Sequence, residues 1–137
     1  MPLNSHQART IIDGAEGKAR QMGLPVVIAV LDAGAHLKAF RRMDGAVLAS
    51  IDIALCKAST AVLFQCNSED VWESCKSGAP APGLELTNGR LAPFGGGIPL
   101  KGADGQVIGA LGVAGGSDAQ DTDVAKAGFA AFAALTR

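Results

Sequence analysis

Tyrosine is absent from this 137-residue chain, tryptophan occurs once, and aromatic residues make up only 4% of it. A core with so few rings must be assembled from small and aliphatic side chains packed closely, which leaves hydrophobic layers for other copies of the chain to complete. A homo-oligomer is therefore expected. Charge is also scarce: 18% of residues are charged and the formal net charge is -1, which provides no basic surface for nucleic acid. The hydrophobic fraction of 48% excludes a disordered composition. Gly, Pro or a charge interrupts every apolar run before it reaches the length of a bilayer span. Met1-Pro2-Leu3-Asn4-Ser5-His6-Gln7 has no basic region leading into an apolar stretch, so neither a membrane nor a secretory route is expected. Cys56, Cys66 and Cys75, an odd number spaced about ten apart, fit neither a paired disulfide framework nor a CxxC metal site. Reduced thiols in a cytoplasmic protein are the expectation. The length is that of one domain, 1–137, able to bury a core without a metal or disulfide.

Asn4 and Gln7 have the spacing of a capping box, and Ala8, Ile11, Ile12, Ala15, Ala19 and Met22 then recur on one helical face, predicting a first helix up to about Gly23. Val26-Val27-Ile28-Ala29-Val30-Leu31 is β-branched and short, and reads as a buried strand. Asp32-Ala33-Gly34-Ala35 supplies a turn, with His36 to Met43 returning as the second strand of a hairpin. Ile51, Leu55, Ala58 and Val62 predict a second helix from Leu48 to about Phe64. Ser68-Glu69-Asp70 reads as the acidic start of a shorter helix carrying Val71, Trp72 and Cys75. Gly78-Ala79-Pro80-Ala81-Pro82-Gly83 opens a long connection through Asn88-Gly89, the kind of loop in which function concentrates. Three more strands are predicted, over Arg90 to Ala92, Gly97 to Lys101 and Gln106 to Ala114, with Ala103-Asp104-Gly105 as a hairpin turn. Asp118, Asp121 and Asp123 mark a final helix start that buries Val124, Ala127, Ala131 and Leu135. The order predicts an α+β domain, a five-stranded antiparallel sheet flanked by helices, without alternating βαβ units.

Gly95, Gly96 and Gly97 are the strongest local signal, because three glycines permit positive φ and close approach to backbone amides. They match neither a GxxxxGK[ST] phosphate loop nor a GxGxxG turn, so nucleotide binding is disfavoured, while a tight bend and an amide-lined ligand site both stay open. Arg42, Lys57 and Arg90 flank the hairpin, the second helix and the glycine loop, and would suit a small anionic ligand. Pairing with Asp44, Asp52 or Glu85 would equally account for them. His36, one of two histidines, has the chemistry of an iron ligand or a proton carrier, and also that of an ordinary turn residue. Asp44 is an acid/base candidate whose position turn formation also explains. Cys56 adjoins Lys57, but neighbouring helical residues point about 100° apart, which favours a structural cysteine. Trp72 reads as a core or interface residue rather than a stacking platform.

Gly95-Gly96-Gly97-Ile98-Pro99-Leu100, the run Val107 to Gly116 and then Asp118, Gln120 and Asp121 form one distinctive pattern. Together with Asp32-Ala33-Gly34, Arg42-Met43-Asp44-Gly45 and Ser50-Ile51-Asp52-Ile53-Ala54, it resembles the GlcG/HbpS family of small haem-associated proteins. That family also supplies the C-terminal domain of PduO-type cobalamin adenosyltransferases. The resemblance runs from about Ala8 to about Ala133. It implies a PAS/profilin-like sheet, an oligomer, and an apolar cleft for haem or a related tetrapyrrole with Arg or Lys at the propionates. Any haem would be held non-covalently, because no CxxCH attachment motif is present. Arg42, Lys57, Arg90, Gly95, Gly96 and Gly97 are then the expected binding residues. The alternative is a catabolic enzyme for a small carboxylate, with Arg42 and Lys57 orienting it and His36 or a carboxylate moving a proton. A non-catalytic oligomeric accessory protein is a third reading.

Overall fold

The computed structural model describes residues 1–89 and 91–135. Helix α1 (Ser5–Gln21) starts at the predicted capping box: the Asn4 side chain accepts from Gln7 N at 2.7 Å and Gln7 Oε1 accepts from Asn4 N at 2.9 Å. Strands β1 (Val27–Asp32) and β2 (Leu37–Arg42) form the expected hairpin. Helix α2 (Ala49–Phe64) follows, then a 3-10 turn (Ser68–Val71), the short α3 (Trp72–Cys75) and a second 3-10 turn (Leu84–Leu86). Strands β3 (Gly97–Lys101) and β4 (Val107–Ala114) make a second hairpin before α4 (Asp118–Ala134), whose Ser117 and Gln120 close another capping box.

The sheet has four antiparallel strands in the order β2-β1-β4-β3, not five. The missing strand is the one predicted over Arg90 to Ala92; Arg90 lies outside the described residues, and Leu91 and Ala92 pair with no strand. Their amides are satisfied elsewhere. Leu91 N donates to the Glu85 carbonyl at 2.7 Å, Ala92 N donates to Thr60 Oγ1 on α2 at 2.9 Å, and Pro93 has no N–H to give to a ladder.

Alternation along the strands assigns each sheet face a different kind of side chain. Ile28, Val30, Leu100, Leu111 and Val113 pack against α1 and α4 in the main aliphatic core. The opposite face carries Val27, Ala29, Ala110 and Ala114 against α2. Ala29, Gly112 and Gly97 lie in one row across three strands. A Cβ at Gly112 would overlap the Ala54 carbonyl, and one at Gly97 the Lys57 carbonyl, so this row admits the α2 backbone only because it is so small. That close seating corrects two predicted helix faces. On α2 the buried residues are Ser50, Ala54, Lys57, Ala58, Thr60, Ala61 and Val62, so Ala58 and Val62 are inward as predicted while Ile51 and Leu55 are only partly buried. On α4 the inward line is Asp121, Val124, Ala125, Gly128 and Phe132, while Leu135 is exposed.

Candidate functional site

Lys57 sits in the middle of the α2 face that meets the sheet, and only 3% of it is exposed. A lysine there must find acceptors. Its Nζ donates to the Val113 carbonyl and to Asp121 Oδ2, both at 2.9 Å, and the other Asp121 oxygen accepts from Gly116 N at 2.8 Å. Burial pushes the Asp121 carboxyl above the ordinary aspartate range, against the downward pull of the Lys57 and Gly116 hydrogen bonds. The pair joins α2, the end of β4 and the first turn of α4 through one buried contact.

The triple glycine runs over this lysine. A Cβ at Gly96, whose φ is +125°, would stand 3.1 Å from Lys57 Nζ and 3.2 Å from its Cδ. Only a glycine takes that backbone and leaves the ammonium its path. Gly97 N donates to Ser68 Oγ at 2.8 Å, Ser68 Oγ donates to the Phe94 carbonyl, and Gly95 N donates to Asp118 Oδ1 at 2.7 Å. Phe94 is thus held from both sides while its ring projects outward, half-exposed.

Three concavities meet at Phe94. One of about 310 Å³ runs past Val47, Ser50 and Ile53 to Lys57, Gly115, Gly116 and Asp121. A second, of about 250 Å³, lies between α2 and the 3-10 turn and is lined by Ile53, Cys56, Leu86 and Leu91. The third, of about 400 Å³, opens beside Trp72. Val47, Leu48, Ile53 and Leu86 present an apolar rim to solvent.

Of the residues expected to bind a ligand, Lys57, Gly96 and Gly97 come together. Gly95 adjoins them through Asp118 and Thr122. Arg42 does not line these clefts: it lies on exposed β2, in register with Val27 and hence two strands from Ala114. Asp44 is exposed in the turn after β2. His36 is exposed at the opposite end of the sheet, where Asp32 pairs with Gly109 rather than Val27 with Ala114. The amides of His36 and Gly34 donate to Asp32 Oδ1, each at 2.9 Å, and hold the Asp32 carboxyl below its ordinary range. Arg90 is outside the described residues. Burial raises the Cys66 and Cys75 thiols, so both favour the unreactive protonated form.

Sequence reasoning missed the roles of Asp121, Asp118 and Ser68, reading the first two as helix-start acids and the third as part of a short helix start. The available signal was Lys57 between Ala54, Ala58 and Ala61, since a lysine flanked by inward alanines needs a counter-charge from another element.

A four-stranded antiparallel sheet with α2 on one face and α1 and α4 on the other, its glycine strand-start crossing a buried lysine, defines a small α+β domain. The chain belongs to the HbpS-like family, described as haem degrading protein HbpS-like, whose model matches residues 3–130. It is 38% identical over 129 residues to an uncharacterized 15.0 kDa protein of the dhaT-dhaS intergenic region in Citrobacter freundii, covering 93% of this chain and 90% of that one. It is 36% identical over 131 residues to the corrinoid adenosyltransferase PduO of Salmonella typhimurium, covering 95% of this chain but only 39% of that protein. A crystal structure of a PduOC:heme complex superposes with a TM-score of 0.91 at 36% identity, covering 96% of this chain and 95% of that one.

Proposed function

We propose that this protein binds a tetrapyrrole, haem foremost, non-covalently on the apolar face around Phe94. The observation that carries the reading is the likeness along nearly the whole chain to the PduOC that was crystallised with haem. The residues present fit the macrocycle: Val47, Ile53, Leu86 and Phe94 offer apolar and aromatic contact at the mouths of two adjoining clefts. Neither cleft is lined by histidine, and Cys56, whose thiol chemistry suits iron, lines the second. Lys57 is held by Asp121, so a propionate or a small carboxylate would gain its ammonium only by displacing that partner. Arg42, at the same end of the sheet, is a cation with access to solvent. Haem, when bound, supplies the one-electron and O2 chemistry of its iron.

Titration with hemin tests the reading through the Soret band, which should shift and saturate at one equivalent per site. Burying the Phe94 ring should contribute on the order of 1.5–3 kcal/mol, so Phe94→Ala should raise the dissociation constant about ten- to a hundred-fold. Cys56→Ser should change the iron spectrum where Cys66→Ser does not. An unshifted hemin spectrum would refute tetrapyrrole binding. The exposed Val47, Leu48 and Leu86 also support association between copies, and light scattering should report more than one chain per particle.

A further inference from the structure

The third concavity at Phe94 differs from the two tetrapyrrole clefts in having a second ring, Trp72, across from Phe94. Trp72 stands on one side, 44% exposed, and Phe94 on the other, 50% exposed, in a space of about 400 Å³. Four of the chain's six rings are exposed, Phe40, Trp72, Phe94 and Phe129, and two of these four line this one space. These two are not stacked on each other; among the described residues the aromatic pair in contact is Phe129 with Phe132. Each ring is thus about half open to solvent in this space rather than covered by the other. The Phe94 backbone is clamped by Ser68 at its carbonyl and by Asp118 at the following amide, which fixes where the ring leaves the main chain.

Among the described residues the charged lining is anionic: Glu69, Asp70, Glu73 and Asp118 border the space, with no described lysine, arginine or histidine beside them. Lys76 reaches Glu73 Oε2 at 2.6 Å from outside the lining, leaving the other carboxylates uncompensated there. The field reaches inward as well: after burial itself, Asp70 and Glu69 push up the Cys66 thiol. An anion would be repelled from this site and a neutral apolar molecule would leave the carboxylates unused. A cation with an alkyl surface satisfies both features, because ring faces carry negative quadrupole charge.

We propose that the Trp72–Phe94 cleft binds a small organic cation of the alkylammonium class. The site shares Phe94 with the tetrapyrrole reading but does not rest on it: it takes a ligand of opposite charge and adds Trp72 and the carboxylates of the Ser68–Val71 turn and α3, which the tetrapyrrole clefts do not use. Trp72 is the sole tryptophan, so its fluorescence reports directly on the site. Choline chloride and tetramethylammonium chloride, titrated at constant ionic strength, should each give a saturable change in emission. Sodium chloride and 3,3-dimethylbutan-1-ol, the neutral shape analogue of choline, should give none. Phe94→Leu keeps apolar bulk and removes the ring, and should weaken choline binding about three- to thirty-fold. Glu69→Gln with Asp70→Asn, at the partly exposed and exposed positions of the Ser68–Val71 turn, should weaken it similarly while leaving the hemin spectrum unchanged. Circular dichroism checks that each variant is folded. An absent or non-saturating response to choline, an equal response to the neutral analogue, or unchanged affinity in both variants would overturn the proposal.

Discussion

The buried contact of Lys57 with Asp121 sets how single substitutions behave. Two charges removed from water need each other: deleting one leaves the other desolvated, at a cost of about 3–5 kcal/mol. Lys57→Met should therefore lower unfolding stability by that order, and Lys57→Met with Asp121→Leu should recover much of the loss, as read by urea denaturation. The pH dependence of the single variant has a definite sign. Without Lys57, Asp121 keeps its raised pKa and loses the ammonium that lowered it. A carboxyl whose folded pKa lies above its unfolded one stabilises the fold at low pH and loses that contribution as pH rises through the folded value. The deficit of Lys57→Met should accordingly narrow in acid. Asp32 has the reverse sign: its lowered pKa stabilises the fold above the ordinary aspartate range and the benefit disappears as pH falls through the lowered value. Asp32→Asn should thus reduce Tm at neutral pH, with the difference closing in acid. The effect will be small because the carboxylate is partly solvated.

Among the elements, close approach is governed by which glycines face a neighbour. Gly14 and Gly17 lie on the same helix, α1, and should respond oppositely to alanine. A Cβ at Gly14 would stand 2.7 Å from Ala131 Cβ and 3.2 Å from the Ala127 carbonyl on α4, so Gly14→Ala should wedge the helices apart at a cost of about 1–3 kcal/mol. Gly17 has nothing within 4 Å of that position, and Gly17→Ala should stabilise by about 0.5–1 kcal/mol through helix propensity alone. Chemical denaturation of the two variants beside wild type checks both signs. The same rule explains α2, where inward alanines meet Ala29 and Gly112 and displace the larger Ile51 and Leu55 toward the margin.

Across the whole molecule, protection should follow depth in the sheet. Strand β1 is buried at five of its six positions and β4 at six of eight, and these two pair with each other at the centre. Strand β2 is an edge with no fully buried residue, and the connection over residues 76–89 is mostly exposed. Hydrogen exchange read by mass spectrometry should show residues 27–32 and 107–114 opening only near global unfolding, with 37–42 and 76–89 exchanging much earlier. Equal protection of β1 and β2 would contradict this ordering.

Local chemistry made much of this legible from the chain itself. The Asn4 and Gln7 cap, the β-branched run at Val26 to Leu31, the Ala103-Asp104-Gly105 turn and the unusual triple glycine depend on neighbours a few residues away, and each is present as read, within a residue or two at its bounds. The family pattern was legible for the same reason, because it consists of short contiguous motifs. Tertiary structure decided the rest. Ala92 has a strand-like sequence but donates its amide to Thr60, a partner 32 residues away, so the fifth strand does not form. Lys57 reads in sequence as a cation for a small anionic ligand, and only Asp121, 64 residues on, reveals it as half of a buried pair. Phe94 and Trp72, apolar in any local reading, face solvent because the loop and the short helix carrying them are anchored elsewhere. A hydrogen bond or charge pair across such separations leaves no periodicity in sequence, and its geometry exists only once the sheet has brought the two elements together.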